Sequence, residues 1–343
     1  MKLLDELLLI EASGSHYEIG YSIGTAARKL IARSINNYRI TIPGEGWADP
    51  WIMPAGYLEA ACETFPQFVE ELQGMAAGSG QSFSDLFFLN ALEEVLDRKL
   101  FSACTAVAIS TPDGVWLGHN EDWYAGDADT VIAVCVHPKG KPAFISVTAA
   151  PFLAAVGVNE AGLAQGVNSL SSLDCRMGVP RMFAARAVLE ADSVEEAIEK
   201  ASPDDRAGGY NHLLAHANGK IGNLETSACA ADYLPAERIA YHTNHYVSSK
   251  LKPLEKEASK HSITRYRRLG ELCQVLPKIH RHPDALVEIL RDHKYRPRSI
   301  CRHAEEQDSV DSTIFSVIFE PTTFSAFVTV GNPCLTVYSK LDF

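Results

Sequence analysis

The sequence predicts an α+β fold in which antiparallel sheets and grouped helices stack in layers. Three observations carry this reading. The segments after Cys104 form successive hairpin patterns, the helical patterns gather in groups, and no regular βαβ alternation appears, which argues against a doubly wound parallel sheet. The chain has 343 residues, 46% apolar and 22% charged, enough for one large domain or two ordinary ones with a sizeable core.

After an opening strand, the first hundred residues read as helical. "SHYE" at Ser15 to Glu18 has capping-box spacing, and Ile19, Ile23, Ala27, Leu30 and Ile31 follow at helical intervals. "ITIPGEGWADPWIMPAG" is a loop rich in Pro, Gly and Trp. Leu58, Cys62, Phe65, Phe68, Leu72 and Met75 mark a second helical pattern, broken or restarted at Pro66. A third begins at Ser84 and carries Leu86, Leu89, Val95 and Leu96.

From Cys104 the texture changes to strands. "TAVAIST", the turn "PDG" and "VWLGHNEDW" read as one hairpin; "TVIAVCVH" and "PAFISVTAA" flank "PKGK" as a second. "FLAAVGVN" and "LAQGVNSL" surround "EAG". Helices follow at "RMFAARAVLEA" and "SVEEAIEKA", the latter capped by Ser193. "YNHLLAHANGKIGNLETSA" turns on "NGK", and a strand lies near "RIAYHTNHY". Helices at about 261–275 and 283–293 precede a closing hairpin, "TIFSVIFEPTTFSAFVTVG".

The formal charge of −12 disfavours nucleic acid and anionic membranes, because both need a basic face. Residues 1–103 hold seven Lys or Arg against fourteen Asp or Glu, so −7 of that charge lies in less than a third of the chain. The apolar N-terminus is interrupted by Asp5 and Glu6 and reads as a strand, not a signal peptide or membrane span. Eight cysteines without a CxxC pair fit a reducing cytoplasm and no zinc framework. Cys62, Cys135, Cys175, Cys229, Cys273, Cys301 and Cys334 read as packing thiols. His212 with His216, and His280 with His282, lack a third ligand at a persuasive spacing, so neither a metal nor a cofactor is expected. Glu93 and Glu94 read as a solvated helix face, and Glu225 as structural.

Cys104 stands apart only by its surroundings. Small Ala103 precedes it, Thr105 and Ala106 follow, and the polar cluster "GHNEDW" returns beside it at the end of the next strand. Asn120 and Asp122 share one face by strand alternation, so both are expected to approach the cysteine. Asn244 sits among aromatics in "YHTNHY", where a buried amide must find a partner. A thiol, a carboxylate and a buried amide can perform acyl transfer, yet a strand cysteine is also ordinary packing. Spacing alone leaves both readings open.

"ACTA", "GHNEDW", "GVNEAGLAQGVNS", "NHLLAHANGKIGNLETS", "HTNHY" and "SICRHAEE…STIFSVIFEP…VGNPC", with the opening "GSHYEIGYSIG", together resemble the acyl-coenzyme A:6-aminopenicillanic acid acyltransferase family across the whole chain. This is peptidase family C45, the cysteine branch of the N-terminal nucleophile (Ntn) hydrolases. The resemblance implies a four-layer αββα sandwich and a precursor cut by its own thiol at Ala103–Cys104, giving fragments 1–103 and 104–343 that stay associated. Cys104 then becomes an N-terminal nucleophile whose α-amine, with an ordinary pKa of about 7.7–8.0, serves as its base. By the same resemblance Asp122 holds that amine and Asn244 donates to the oxyanion. Asn120 supports the nucleophile strand, Thr105 supports the site or its substrate, Asn168 lines the pocket, and Arg302 meets an anionic substrate group or forms an exposed ion pair.

The expectation is a cytoplasmic, self-processing amidohydrolase acting on a small linear amide. Transfer of the acyl group to an amine, from coenzyme A or a penicillin, is the alternative. An unprocessed binding relative and a papain-like thiol site are the others. No coenzyme A phosphate site is legible in the sequence.

Overall fold

A computed structural model describes residues 7–42, 55–96, 103–279, 283–304 and 311–343. The N-terminal elements are β1 (Leu8–Gly14), α1 (His16–Ala26), α2 (Arg28–Thr41), α3 (Ala55–Thr64), α4 (Pro66–Ser79), α5 (Phe83–Asn90) and α6 (Leu92–Val95). The capping box is present: the Ser15 side chain accepts from the Glu18 amide, and the Glu18 carboxylate accepts from the Ser15 amide. Pro66 restarts the chain as the first residue of α4, where its missing N–H costs nothing.

The remaining chain forms β2 (Ala103–Thr111), β3 (Gly114–Tyr124), β4 (Val131–Pro138), β5 (Phe144–Ala149), β6 (Gly157–Asn159), β7 (Leu163–Leu170), α7 (Arg181–Val188) and α8 (Val194–Ala201). It continues with β8 (Gly209–His216), β9 (Ile221–Thr226), β10 (Ala231–Ala236), β11 (Ile239–His242), α9 (Lys260–Ile279), α10 (Asp284–Leu290), β12 (Asp311–Glu320), β13 (Ser325–Val330) and β14 (Ser339–Lys340). One sheet runs β1-β4-β5-β6-β7-β8-β9-β10 and the other β11-β2-β3-β12-β13-β14. All named strand pairs are antiparallel except β1 with β4.

Alternation along β2 explains the layering. Ala106 and Ala108 enter the core between the sheets, while Val107 and Ile109 pack with Leu269, Leu272, Leu286 and Ile289 of α9 and α10. On the far side, Val188, Val194 and Ala197 of α7 and α8 cover Leu163, Leu214 and Leu224 of the eight-stranded sheet. The order helix, sheet, sheet, helix is the αββα sandwich that the resemblance implied. Small residues let the inner faces approach: a Cβ on Gly166 of β7 would come within 3.1 Å of His119 and 3.5 Å of Ala106 in the opposite sheet.

Several expectations need correction. "FLAAVGVN" supplies only the three-residue strand β6, and Ala27 divides the first helical pattern into α1 and α2. Cys62, Cys175 and Cys229 are exposed and not packing thiols. Glu93 and Glu94 are not a solvated face. Ser169 Oγ donates to Glu93 at 2.8 Å, Arg181 Nε donates to Glu94 at 2.6 Å, and both carboxylates are buried. His280 and His282 lie outside the described residues.

Candidate active site

The β2–β3 hairpin sets the register around Cys104. Its turn pairs Thr111 with Gly114, so each earlier residue of β2 finds its partner by counting outward. Cys104 therefore faces Glu121, and Ala103 faces Asp122. Cross-strand partners project to the same side, so Cys104 and Glu121 share the inter-sheet face. Cys104 Sγ lies 2.9 Å from Glu121 Oε1 and donates its proton there, and His119 Nε2 lies 3.1 Å from the other carboxylate oxygen. Burial, followed by the charge of Glu121, pushes the thiol well above its usual range.

The main chain of Cys104 is held from the other side. Its N–H donates to Asn244 Oδ1 at 2.9 Å, and its carbonyl oxygen accepts from Arg265 Nη1 at 2.7 Å. The same Arg265 nitrogen reaches Thr105 Oγ1 at 2.7 Å, while Nη2 donates to Asn244 Oδ1 at 2.8 Å. Asn244 also donates through Nδ2 to the carbonyl of Ser169 at 3.2 Å, bridging the two sheets. Arg265 is 1% exposed, and burial lowers its pKa without removing its charge.

Asn120 and Asp122 do share a face, as alternation requires, but it is the face opposite Cys104 Sγ. Asn120 donates to the carbonyls of Leu290 and Ile300 and accepts from Ser316, which locks it as a brace behind the sheet. It does not reach the thiol. Asp122 is fully buried; Oδ1 accepts from Thr313 Oγ1 at 2.6 Å, whereas Oδ2 has no hydrogen-bond partner. A bulge in β12 between Thr313 and Phe315 brings that hydroxyl opposite Asp122. Burial raises the Asp122 pKa to about 6.

In front of Cys104 lies a cleft whose wall is mainly apolar, including Val147, Phe152, Val167, Ile314 and Phe315. Glu93, Glu121, Ser169 and Tyr210 supply its polar points. Asn168 does not line the cleft, a correction that follows from alternation: Val167 and Ser169 do, and Asn168 instead accepts from Asn211 at 3.0 Å. Arg302 pairs with Asp311 at 3.1 Å; the pair is mostly buried rather than exposed, and Arg302 is not a cleft residue. Glu225 is structural as expected, accepting from the Val247 and Ser248 amides and meeting His242 Nε2 at 2.7 Å.

Two site residues escaped the sequence reading. Glu121 was readable from the hairpin count. Arg265 falls on the buried stripe of α9 with Ser262, Leu269 and Leu272, and a lone cation at an apolar-stripe position is the signal that marks it.

The arrangement combines a thiol beside a carboxylate, a pinned peptide bond, a buried carboxylate oxygen without a partner, and an apolar cleft. The family described as acyl-coenzyme A:6-aminopenicillanic acid acyl-transferase matches residues 109–334. The acyl-coenzyme A:6-aminopenicillanic-acid-acyltransferase 40 kDa form of Emericella nidulans is 28% identical, with 95% of this chain and 93% of that protein covered. The β-alanyl-dopamine/carcinine hydrolase of Drosophila melanogaster is 28% identical over 54% of each chain. Among solved structures, penicillin V acylase from Agrobacterium tumefaciens superposes with a TM-score of 0.48 at 14% identity, covering 66% of this chain and 82% of its own. A mutant of conjugated bile acid hydrolase from Clostridium perfringens gives 0.45 at 14% identity, covering 70% and 97%. On the match over residues 109–334, more than half of its length, this chain belongs to the acyl-coenzyme A:6-aminopenicillanic acid acyltransferase family.

Proposed function

We propose that this enzyme is a self-processing amidohydrolase that cleaves a small linear amide through a thioester on Cys104. The observation that carries the reading is the way Cys104 is held. Its N–H and C=O are fixed by Asn244 and Arg265, while Sγ points with Glu121 into an apolar cleft. A packing cysteine requires none of this.

In the continuous chain, Glu121 takes the Sγ proton as the sulfur attacks the Ala103 carbonyl carbon. The Ala103–Cys104 C–N bond breaks, the Cys104 nitrogen leaves as an amine, and water hydrolyses the resulting thioester. The products are the carboxylate of Ala103 and a free thiol with a neighbouring α-amine. Asp122 Oδ2 receives that amine when it is charged. In turnover, the neutral amine takes the Sγ proton and the thiolate attacks the substrate amide. Asn244 Nδ2 donates to the oxyanion, the substrate amine departs with a proton, and water releases the acid. Thr105 and Asn120 hold the strand in place through Arg265 and the carbonyls behind it.

The two fragments stay associated because the cut leaves their contacts intact. β1 remains paired with β4. Glu71 with Arg186, Glu94 with Arg181, and Tyr38 with Asp127 cross from 1–103 to 104–343 inside the protein. The apolar cleft suits an acyl group, and the reaction takes place in the cytoplasm. Among the described residues no helix is long and apolar enough to cross a membrane.

Incubating processed protein with N-acyl amino acids, penicillins and acyl-coenzyme A tests the reading. Acid release without an added amine supports hydrolysis. Product formation only when an acceptor amine is present favours acyl transfer instead, the activity named for the Emericella relative. Absence of turnover with every donor overturns both.

A further inference from the structure

Away from the cleft, three side chains of the α10–β12 connection and one of the β13–β14 connection converge at one point. His293 follows α10, Cys301 and His303 precede β12, and Cys334 follows β13. His293 Nε2 and His303 Nε2 are 3.0 Å apart, and Cys301 Sγ and Cys334 Sγ are 3.6 Å apart. His303 Nε2 lies 3.7 Å from Cys301 Sγ and 3.4 Å from Cys334 Sγ, and all four atoms fall within 4.8 Å of one another. We propose that these four residues form a structural zinc site.

Four of the six edges of the cluster match a coordination tetrahedron. Zn–S bonds of about 2.3 Å and Zn–N bonds of about 2.0–2.1 Å place two sulfurs about 3.8 Å apart, sulfur and nitrogen about 3.6 Å, and two nitrogens about 3.3 Å. Each of the four separations above agrees with these values to within about 0.4 Å. Two thiolates and two imidazoles are also the ligand set that selects zinc over magnesium or calcium, which prefer oxygen. Binding Zn²⁺ displaces the two thiol protons and leaves a neutral centre with two neutral imidazoles. Asn332 Nδ2, 3.7 Å from Cys301 Sγ, is placed to donate to one thiolate.

The site is structural because four protein ligands fill the tetrahedron and none of them lines the substrate cleft. Its position gives it a use. Ile300, beside Cys301, accepts from Asn120 through its carbonyl; Arg302, on the other side, donates its N–H to Thr313 Oγ1 at 3.0 Å, and that hydroxyl holds Asp122. A metal clamped on Cys301 and Cys334 fixes the segment that backs the nucleophile hairpin. No sequence motif announces it, since the four ligands are separated by steps of 8, 2 and 31 residues along the chain.

The test is Co²⁺ and Zn²⁺ binding to the full, untagged chain, reduced and stripped with a chelator. The expected result is one Co²⁺ per chain with tetrahedral ligand-field bands and thiolate-to-cobalt charge transfer, displaced by one equivalent of Zn²⁺. Cys301→Ser and Cys334→Ser should each weaken binding at least about a hundredfold. Cys104→Ala should leave it unchanged, which separates this site from the Cys104, His119 and Glu121 cluster. Because a ligand variant can misfold, the melting temperature of the wild-type chain is followed as well, and it should rise when zinc is restored. No stoichiometric Co²⁺ uptake by the reduced wild type overturns the proposal. So do spectra that survive both cysteine variants or vanish with Cys104→Ala, and a Cys301–Cys334 disulfide in protein kept under reductant.

Discussion

Arg265 donates through Nη1 to the carbonyl oxygen of Cys104 at 2.7 Å, from a helix 161 residues further along the chain. The same guanidinium holds Asn244 Oδ1, which accepts the Cys104 N–H, so one buried side chain fixes both main-chain groups of the nucleophile. Lysine offers a point charge and cannot fork across Cys104, Thr105 and Asn244 together. Arg265→Lys should slow self-cleavage and lower kcat by about ten- to a hundredfold, with KM little changed. Gel densitometry of the cut and steady-state kinetics of the processed fraction check the two effects.

Asp122 links the site to pH. Burial raises its folded pKa to about 6, whereas an unfolded aspartate titrates near 3.9. Between those values the folded state binds the extra proton, so stability falls as pH rises through that interval and the penalty is complete above about 6. In a Cys104→Ala background, which keeps the chain uncut, Asp122→Asn should stabilise by on the order of 1–3 kcal/mol at pH 7 and by little at pH 4. Paired urea titrations at the two pH values measure the difference. The same substitution in the active chain should cut turnover about a hundredfold, because the α-amine loses its anionic partner.

Glu121 accepts the Sγ proton at 2.9 Å in the continuous chain. Glu121→Gln keeps an acceptor in place but removes the base and the negative charge that helps raise the thiol pKa. Self-cleavage should slow at least tenfold, while the pH midpoint for alkylation of Cys104 in the uncut protein moves down. Equal processing rates, with no shift in alkylation, would contradict a direct role for the carboxylate.

Arg186 joins the two predicted fragments. It pairs with Glu71 at 2.9 Å and Glu190 at 3.1 Å between the rings of Phe68 and Phe144. Arg186→Leu leaves buried Glu71 without its cation and Glu190 with His16 alone, a loss of roughly 3–5 kcal/mol. Processed wild type should elute as one species in gel filtration, and the variant should shed its 1–103 fragment at lower urea.

The sequence made much of this legible because the decisive contacts around the hairpin are local. Cys104, the "PDG" turn and the "GHNEDW" cluster lie within twenty residues, and the turn alone sets Cys104 against Glu121. The error was one of face: alternation correctly grouped Asn120 with Asp122, yet the register turns that face away from Sγ. Asn168 was misplaced for the same reason. Other features depend on contacts between distant segments, which periodicity does not encode. Arg265 meets Cys104 only because α9 packs on the six-stranded sheet, and Glu93 is buried only because Ser169, Arg181 and Tyr210 gather round it. The four-residue cluster at Cys301 joins the α10–β12 connection to Cys334, 31 residues beyond His303, a contact that nothing in the spacing announces.

Intact-mass analysis of freshly purified wild-type and Cys104→Ala protein shows whether Cys104 cuts its own chain. Self-cleavage at Ala103–Cys104 yields two wild-type species, residues 1–103 and a fragment beginning at Cys104, and leaves one uncut chain for the variant. A single full-length wild-type species that persists on incubation, identical in processing state to Cys104→Ala, would contradict it.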